Sequence, residues 1–134
     1  MLTGECYCGE VSYQIDGDLI TMYHCHCSRC RKLSGASFAT NGSLEARLFN
    51  ITKGQNNIIS AIHDGHYRYH CKQCHSWIYG ESEDYQGLRF IPCGTLNETP
   101  TKQVDHHVCV DSKADWIKID DQLLQYSGRR PKQE

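Results

Sequence analysis

The chain has 134 residues, a length that suits one domain with one core. Its hydrophobic fraction of 39% is somewhat below the ordinary globular range, as expected where bound metal supplies part of the folding free energy. A net charge of −2 gives no basic footprint for a nucleic acid, and no apolar run approaches the ~20 residues of a membrane span.

Met1-Leu2-Thr3-Gly4 runs straight into Glu5 and Cys6, without a charged n-region or an apolar h-region. No secretory signal is therefore read, and a cytoplasmic location is expected. Val11-Ser12-Tyr13-Gln14-Ile15 alternates with period two and predicts a strand, ended by the turn Asp16-Gly17-Asp18. A second short strand is expected over 19–23. Residues 28–33 suit a single helical turn closed by Ser34-Gly35. Residues 36–40 read as a strand stopped by Asn41-Gly42, a favoured turn pair. Further strands are expected over 44–49, 58–62, 66–70, 77–79, 88–91, 104–110 and 116–119, and a short helix over 120–126. Among the aromatics, Tyr13, Tyr67, Tyr69, Trp77, Phe90 and Trp116 are expected to line the core or a groove. The pattern predicts one mainly β domain of short antiparallel strands over residues 1–127, followed by a disordered tail over 128–134.

Seven of the nine cysteines fall into three clusters: Cys6-Tyr7-Cys8, Cys25-His26-Cys27-Ser28-Arg29-Cys30, and Cys71-Lys72-Gln73-Cys74. An odd count in a reducing compartment argues for metal over a disulfide framework. In extended backbone, residues i and i+2 share a face, so both sulfurs of Cys-x-Cys can reach one ion. Cys-x-x-Cys sits on a tight turn whose N–H groups can also point at sulfur. Zinc takes four ligands in a tetrahedron. Cys6, Cys8, Cys71 and Cys74 supply two such pairs and would make a closed, structural site.

Cys25, Cys27 and Cys30 are one sulfur short of a closed site. The fourth position is open to a histidine, to Cys93 or Cys109, or to water. His24 and His26 alternate away from the sulfurs if the stretch is extended. Spacing alone also permits a different pairing, with Cys27 and Cys30 joined to Cys71 and Cys74. Cys93 and Cys109 otherwise read as small buried hydrophobes. Zinc with three thiolates carries −1, and a fourth thiolate makes it −2. Arg29, Arg31 and Lys32 flank the cluster and either offset that charge, bind the carboxylates of an acidic thiol, or stay solvated.

Gly4-Glu5-Cys6-Tyr7-Cys8-Gly9-Glu10-Val11-Ser12-Tyr13 resembles the opening of the glutathione-dependent formaldehyde-activating enzyme (GFA) family, also called the CENP-V/GFA domain. Cys25 to Ala36 resembles its central motif, and Arg68-Tyr69-His70-Cys71-Lys72-Gln73-Cys74 its third. Gly94-Thr95-Leu96-Asn97, His107 and Trp116 fit its C-terminal pattern. The resemblance implies a β-tent fold and two zinc ions per chain. By that resemblance Cys6, Cys8, Cys71 and Cys74 hold a structural zinc, and Cys25, Cys27 and Cys30 hold a catalytic one. The implied activity is carbon–sulfur lyase or synthase chemistry that joins glutathione and formaldehyde into S-hydroxymethylglutathione.

Two positions depart from the family. His75 stands where glycine is usual, which implies a strained or altered left-handed turn, and Asn97 stands where aspartate is often found.

The expected partner is a small-molecule thiol such as glutathione, with no nucleic acid and no membrane, on a monomer or homodimer. The thiol is expected at the open zinc as a thiolate, with His107 or His26 moving the proton. Alternative readings are a non-catalytic zinc module that binds a partner and a labile-zinc or thiol sensor.

Overall fold

The structure, a computed structural model, describes residues 1–131. Lys132, Gln133 and Glu134, the end of the expected tail, lie outside the described residues. The strands are β1 (Leu2–Glu5), β2 (Ser12–Ile15), β3 (Thr21–Cys25), β4 (Ala39–Glu45), β5 (Phe49–Lys53), β6 (Ile58–His63), β7 (His66–Cys71), β8 (Trp77–Ser82), β9 (Leu88–Pro92), β10 (His106–Val108) and β11 (Leu124–Gln125). One α-helix, α1, spans Ser28–Ser34. A small sheet has the order β1-β2-β5, and a large one runs β11-β10-β3-β4-β9-β8-β7-β6.

The mainly β expectation holds, and the short antiparallel strands dominate. Two pairings are parallel: β10 lies parallel to both β3 and β11. The helical turn closes as expected. Gly35 takes φ 68° and returns its N–H to the Arg31 carbonyl, which a left-handed glycine cap does without a Cβ clash.

Several local expectations are corrected. Asn41-Gly42 is not a turn; β4 runs through it between β3 and β9. A Cβ on Gly42 would sit 2.8 Å from the Leu19 side chain and 3.2 Å from the Cys93 sulfur. Glycine therefore serves close packing here rather than a turn. The strand expected over 44–49 breaks at a 3-10 turn, Ala46–Leu48, and β5 begins at Phe49. Residues 116–119 form no strand. Trp116 is 72% exposed and donates its indole N–H to Ser37 Oγ at 2.9 Å, so it is not a core residue. No helix forms over 120–126, where β11 pairs with β10 instead.

The main core joins both sheets. Val11, Tyr13 and Ile15 of the small-sheet side meet Leu44, Cys71, Ile78 and Ile91 of the large one. A second, smaller cluster holds Cys25, Cys30, Ala39 and Val108, with Tyr23, Cys27, Cys109 and Tyr126 packed against it. At the start of the segment expected to be disordered, the Gly128 carbonyl accepts from Cys109 N–H at 2.8 Å, and Arg129 pairs with Asp84 at 2.9 Å. No helix among the described residues is long and apolar enough to cross a membrane.

Gly4 faces Tyr13 across β1 and β2, and a Cβ there would come 2.2 Å from the buried Tyr13 ring. The ring has nowhere to retreat, because its hydroxyl meets Thr95 Oγ1 at 2.7 Å. Gly4→Ala is expected to cost about 1–3 kcal/mol, read as a fall in thermal midpoint. An unchanged midpoint would mean that the β1–Tyr13 contact is looser than described.

Candidate functional site

Cys6 and Cys8 lie on the turn that leaves β1; Cys71 ends β7, and Cys74 lies in the turn before β8. The four sulfurs lie within 4.8 Å of one another. Cys6 and Cys8 are 3.6 Å apart, and Cys8 and Cys71 are 3.7 Å apart. A tetrahedron of sulfurs at 2.3 Å from zinc has edges of about 3.8 Å, so the cluster fits a tetrahedral ion as it stands. Donors are also in place. Val11 N–H points at Cys6 sulfur at 3.4 Å, Cys74 N–H at Cys71 sulfur at 3.5 Å, and Ser76 Oγ lies 3.1 Å from Cys74. Burial raises the Cys74 thiol, but the Ser76 hydroxyl and N–H outweigh it and bring it to about 5. Such donors stabilise thiolates over thiols.

The turn carrying Cys74 continues through His75 at φ 65°, with His75 N–H bonded to the Cys71 carbonyl at 2.8 Å. The left-handed geometry expected at His75 is thus kept here with a side chain, at a cost in strain.

Cys25 ends β3, Cys27 is the N-cap of α1, and Cys30 lies in its first turn. Their sulfurs also lie within 4.8 Å of one another, and Cys27 accepts Cys30 N–H at 3.3 Å. The same strand-to-helix turn therefore gathers the sulfurs and donates to one of them. Cys109 joins this group through β10: Val108 sits opposite Cys25, and Cys109 follows it. Contact with the Cys109 thiol, then with Cys25 and Cys30, holds Cys27 far below the usual thiol range. Contacts with Cys25 and Cys27 drive Cys109 the other way. Cys27 is therefore the sulfur of this group that ionises most readily, with its neighbours donating to it. Both clusters could hold a metal ion, and the all-sulfur donor sets suit zinc.

The three-sulfur cluster opens on a cavity of about 820 Å³. Tyr23, Trp77 and Phe90 supply apolar wall; Arg29, Arg68, Arg129 and Arg130 supply positive charge. Arg68 is buried at 9% exposure, and its guanidinium carbon lies 6.0 Å from the Trp77 ring centre. Arg29 pairs with Asp64 at 3.2 Å while lining the cavity. Arg31 and Lys32 are not among the cavity-lining residues; Arg31 donates instead to the Ser112 carbonyl at 3.3 Å.

His26 and His107 are both buried, outside the cavity lining. His26 Nε2 meets His107 Nδ1 at 2.8 Å, and His107 Nε2 meets Asp121 Oδ2 at 2.8 Å. The His107 contact holds the Asp121 carboxyl below its usual range. An ionised carboxylate only accepts, so His107 donates from Nε2, His26 donates from Nε2, and His26 Nδ1 is left unprotonated. Under that assignment His26 Nδ1 is a buried acceptor without a hydrogen-bond partner. Burial, then the neighbouring His107 and His24, push His26 down to about 4. It is neutral at pH 7. By strand alternation the neighbouring His106 faces the cavity, with Asp105 at its Nδ1.

Motif spacing does not single out Arg68 or His106, and Cys109 reads in the sequence either as one of several possible fourth ligands or as a small buried hydrophobe. For His106 the signal was present: if His107 turns one way on a strand, His106 turns the other. For Arg68 and Cys109 the signal lay in strand order and cross-strand register, which spacing along the chain does not carry. Cys93 is the small buried residue expected, its thiol pushed up to about 12 by burial.

Residues 1–112 match the family described as glutathione-dependent formaldehyde-activating enzyme. A protein of Emericella nidulans, whose name provisionally calls it a glutathione-dependent formaldehyde-activating enzyme, is 29% identical over 98 residues, covering 66% of this chain. The match spans about half of that relative's length, at 49%. A crystal structure of a Rhodobacter sphaeroides protein superposes with a TM-score of 0.62 at 16% identity, over 72% of this chain and 89% of that one. That likeness concerns the fold alone.

Two outcomes are expected. A four-thiolate zinc site contributes about 10–16 kcal/mol of apparent binding free energy, as much as the ~5–15 kcal/mol net stability of an ordinary domain. Cys71→Ser should therefore unfold the domain by circular dichroism, whereas Cys27→Ser keeps the fold and one zinc. A folded Cys71→Ser protein retaining both ions would break the assignment. His75→Gly should stabilise by about 0.5–1 kcal/mol, since relief of left-handed strain outweighs glycine's added chain entropy. A lower denaturation midpoint would show that the His75 side chain contributes contacts.

Proposed function

Because this chain belongs to the glutathione-dependent formaldehyde-activating enzyme family, we propose that it is a zinc-dependent enzyme of carbon–sulfur bond chemistry. Its substrate class is the adduct of an acidic thiol, such as glutathione, with a small carbonyl such as formaldehyde. The observation that carries this reading is the single cavity wall on which three mutually close sulfurs and a buried arginine, Arg68, occur together.

Cys6, Cys8, Cys71 and Cys74 hold a structural zinc, and Cys25, Cys27 and Cys30 hold a second. A bound zinc lowers the pKa of a coordinated thiol, so that a thiolate nucleophile exists at neutral pH. The three cysteines leave one of the four ligand positions for the substrate sulfur. Arg68, Arg29, Arg129 and Arg130 face the same cavity and bind the substrate carboxylates, a task guanidinium performs with paired N–H donors. Tyr23, Trp77 and Phe90 exclude water around the reacting atoms.

In the synthetic direction the sulfur lone pair forms the C–S bond, the carbonyl π pair moves to oxygen, and oxygen takes a proton. His106 is the group we assign to that proton. Asp105 accepts its Nδ1–H and leaves Nε2 as the basic nitrogen. His107 enters as a positioning residue: with Asp121 it fixes the His26 ring, and with it the backbone between Cys25 and Cys27.

The test is the rate of hydroxymethyl adduct formation from glutathione and labelled formaldehyde, followed by NMR exchange on the zinc-loaded protein. The parent should exceed the uncatalysed rate, and Cys27→Ser should not. Arg68→Met should lower kcat/KM roughly tenfold to hundredfold, the value of one or two charge-assisted hydrogen bonds. Loss in Cys27→Ser with no effect in Arg68→Met would remove the carboxylate assignment. No rate above background in the parent would remove the glutathione–formaldehyde assignment.

A further inference from the structure

Cys109 is the one residue beside the three-sulfur cluster whose backbone is held where its side chain ordinarily would not be. It has φ 57° and ψ 39°, the left-handed region that costs a non-glycine residue roughly 1–2 kcal/mol. The surroundings impose this conformation. Cys109 N–H is bound to the Gly128 carbonyl at 2.8 Å, its own carbonyl accepts from Ser112 N–H at 3.0 Å, and His26 N–H is bound to the preceding Val108 carbonyl at 3.0 Å. These bonds turn the chain out of β10 beside the Cys25–Cys27 segment. The side chain is partly buried, packs on the cluster of Cys25, Cys30 and Val108, and lines the cavity with the three cysteines. Its sulfur stands beside this cluster but outside the trio that lies mutually within 4.8 Å. Strain retained next to a reactive cluster points to a role for the residue that bears it.

We propose that Cys109 is a fourth, exchangeable thiolate ligand of the second metal site, closing it to four sulfurs until a substrate thiol takes its place. The proposal rests on the thiol-binding reading above and adds its regulation. On exchange Cys109 leaves as a thiol, taking the proton that the incoming thiol loses. On return it gives that proton up. One thiolate replaces another, so the site charge is the same in both states and no oxidant or reductant is required. Closure would also add a fourth protein ligand between turnovers, which slows loss of the ion. Buried Arg68 faces the same cavity and offsets the charge of four thiolates as it does that of three with substrate.

The experiment uses the zinc-loaded full chain and Cys109→Gly, a variant chosen because glycine adopts φ 57° without strain and so keeps the turn. X-ray absorption should give an average of about four sulfurs per zinc in the parent and about 3.5 in Cys109→Gly, if the sites close as described. The variant should lose one of its two zincs to a competing chelator about tenfold faster or more. Added glutathione should restore the sulfur count of Cys109→Gly. A parent at about 3.5 sulfurs, unchanged by the substitution, overturns the proposal. So does a sulfur count of four that persists in Cys109→Gly. The glutathione arm separates the two readings: a fall in sulfur count without recovery keeps Cys109 as a ligand while removing glutathione as the thiol.

Discussion

The Cys6, Cys8, Cys71 and Cys74 clasp is the constraint on which the rest depends. Its two halves come from opposite ends of the fold, one from the turn leaving β1 and one from the β7–β8 turn. Closing it ties the small sheet to the far arm of the large one. Hydrogen bonds follow the same seam: Tyr7 N–H reaches Ser76 Oγ at 3.1 Å, and Lys72 N–H reaches the Asn57 carbonyl at 2.6 Å. The core that the clasp covers is modest, and three of its eleven buried members, Cys6, Cys71 and Cys93, are cysteines. With an ion bound as proposed above, such a seam would substitute for apolar area that a chain of this composition does not have.

With that seam fixed, the second cluster is free to serve another purpose. It is built on a strand-to-helix turn at the other end of the large sheet, away from the first set of sulfurs in the strand order. Its sulfurs face a cavity with cations on the wall, whereas those of the first are gathered at a turn with backbone and hydroxyl donors. The contrast is one of supply. The first set brings four sulfurs from two tight turns and is complete. The second brings three from one turn and, in the reading proposed above, takes its fourth sulfur from Cys109 or from a substrate.

The chain from buried His26 and His107 to exposed Asp121 shows how the scaffold holds that turn in register. Its carboxylate end sets the protonation of both rings, and its histidine end lies between two of the three sulfurs. A neutral His26 in that position adds no charge beside the thiolates. The same strand turns His106 to the cavity, so one short element supplies both a support and a cavity-facing imidazole.

The sequence by itself determined the mainly β class and the three cysteine clusters, because Cys-x-Cys and Cys-x-x-Cys encode ligand geometry in a few adjacent residues. Spacing left their pairing open, and only the tertiary structure brings Cys6 and Cys8 to Cys71 and Cys74 and leaves Cys25, Cys27 and Cys30 as a separate set. The sequence also determined the helical turn closed by Gly35, a local backbone requirement, whereas the left-handed turn at His75 follows only from the family resemblance and the structure. Tertiary structure alone decided that Asn41-Gly42 lies inside a strand, because the demand there is the approach of Leu19 and Cys93 from other segments. It alone decided that Cys109 meets Cys25 and Cys27, since a parallel pairing between β3 and β10 joins residues some eighty positions apart with no short-range signal. It also decided which cations face the cavity. Arg31 and Lys32 adjoin the sulfurs along the chain and turn away from the cavity, while Arg68 is distant in sequence and faces it, because side-chain direction follows strand and helix geometry rather than chain proximity.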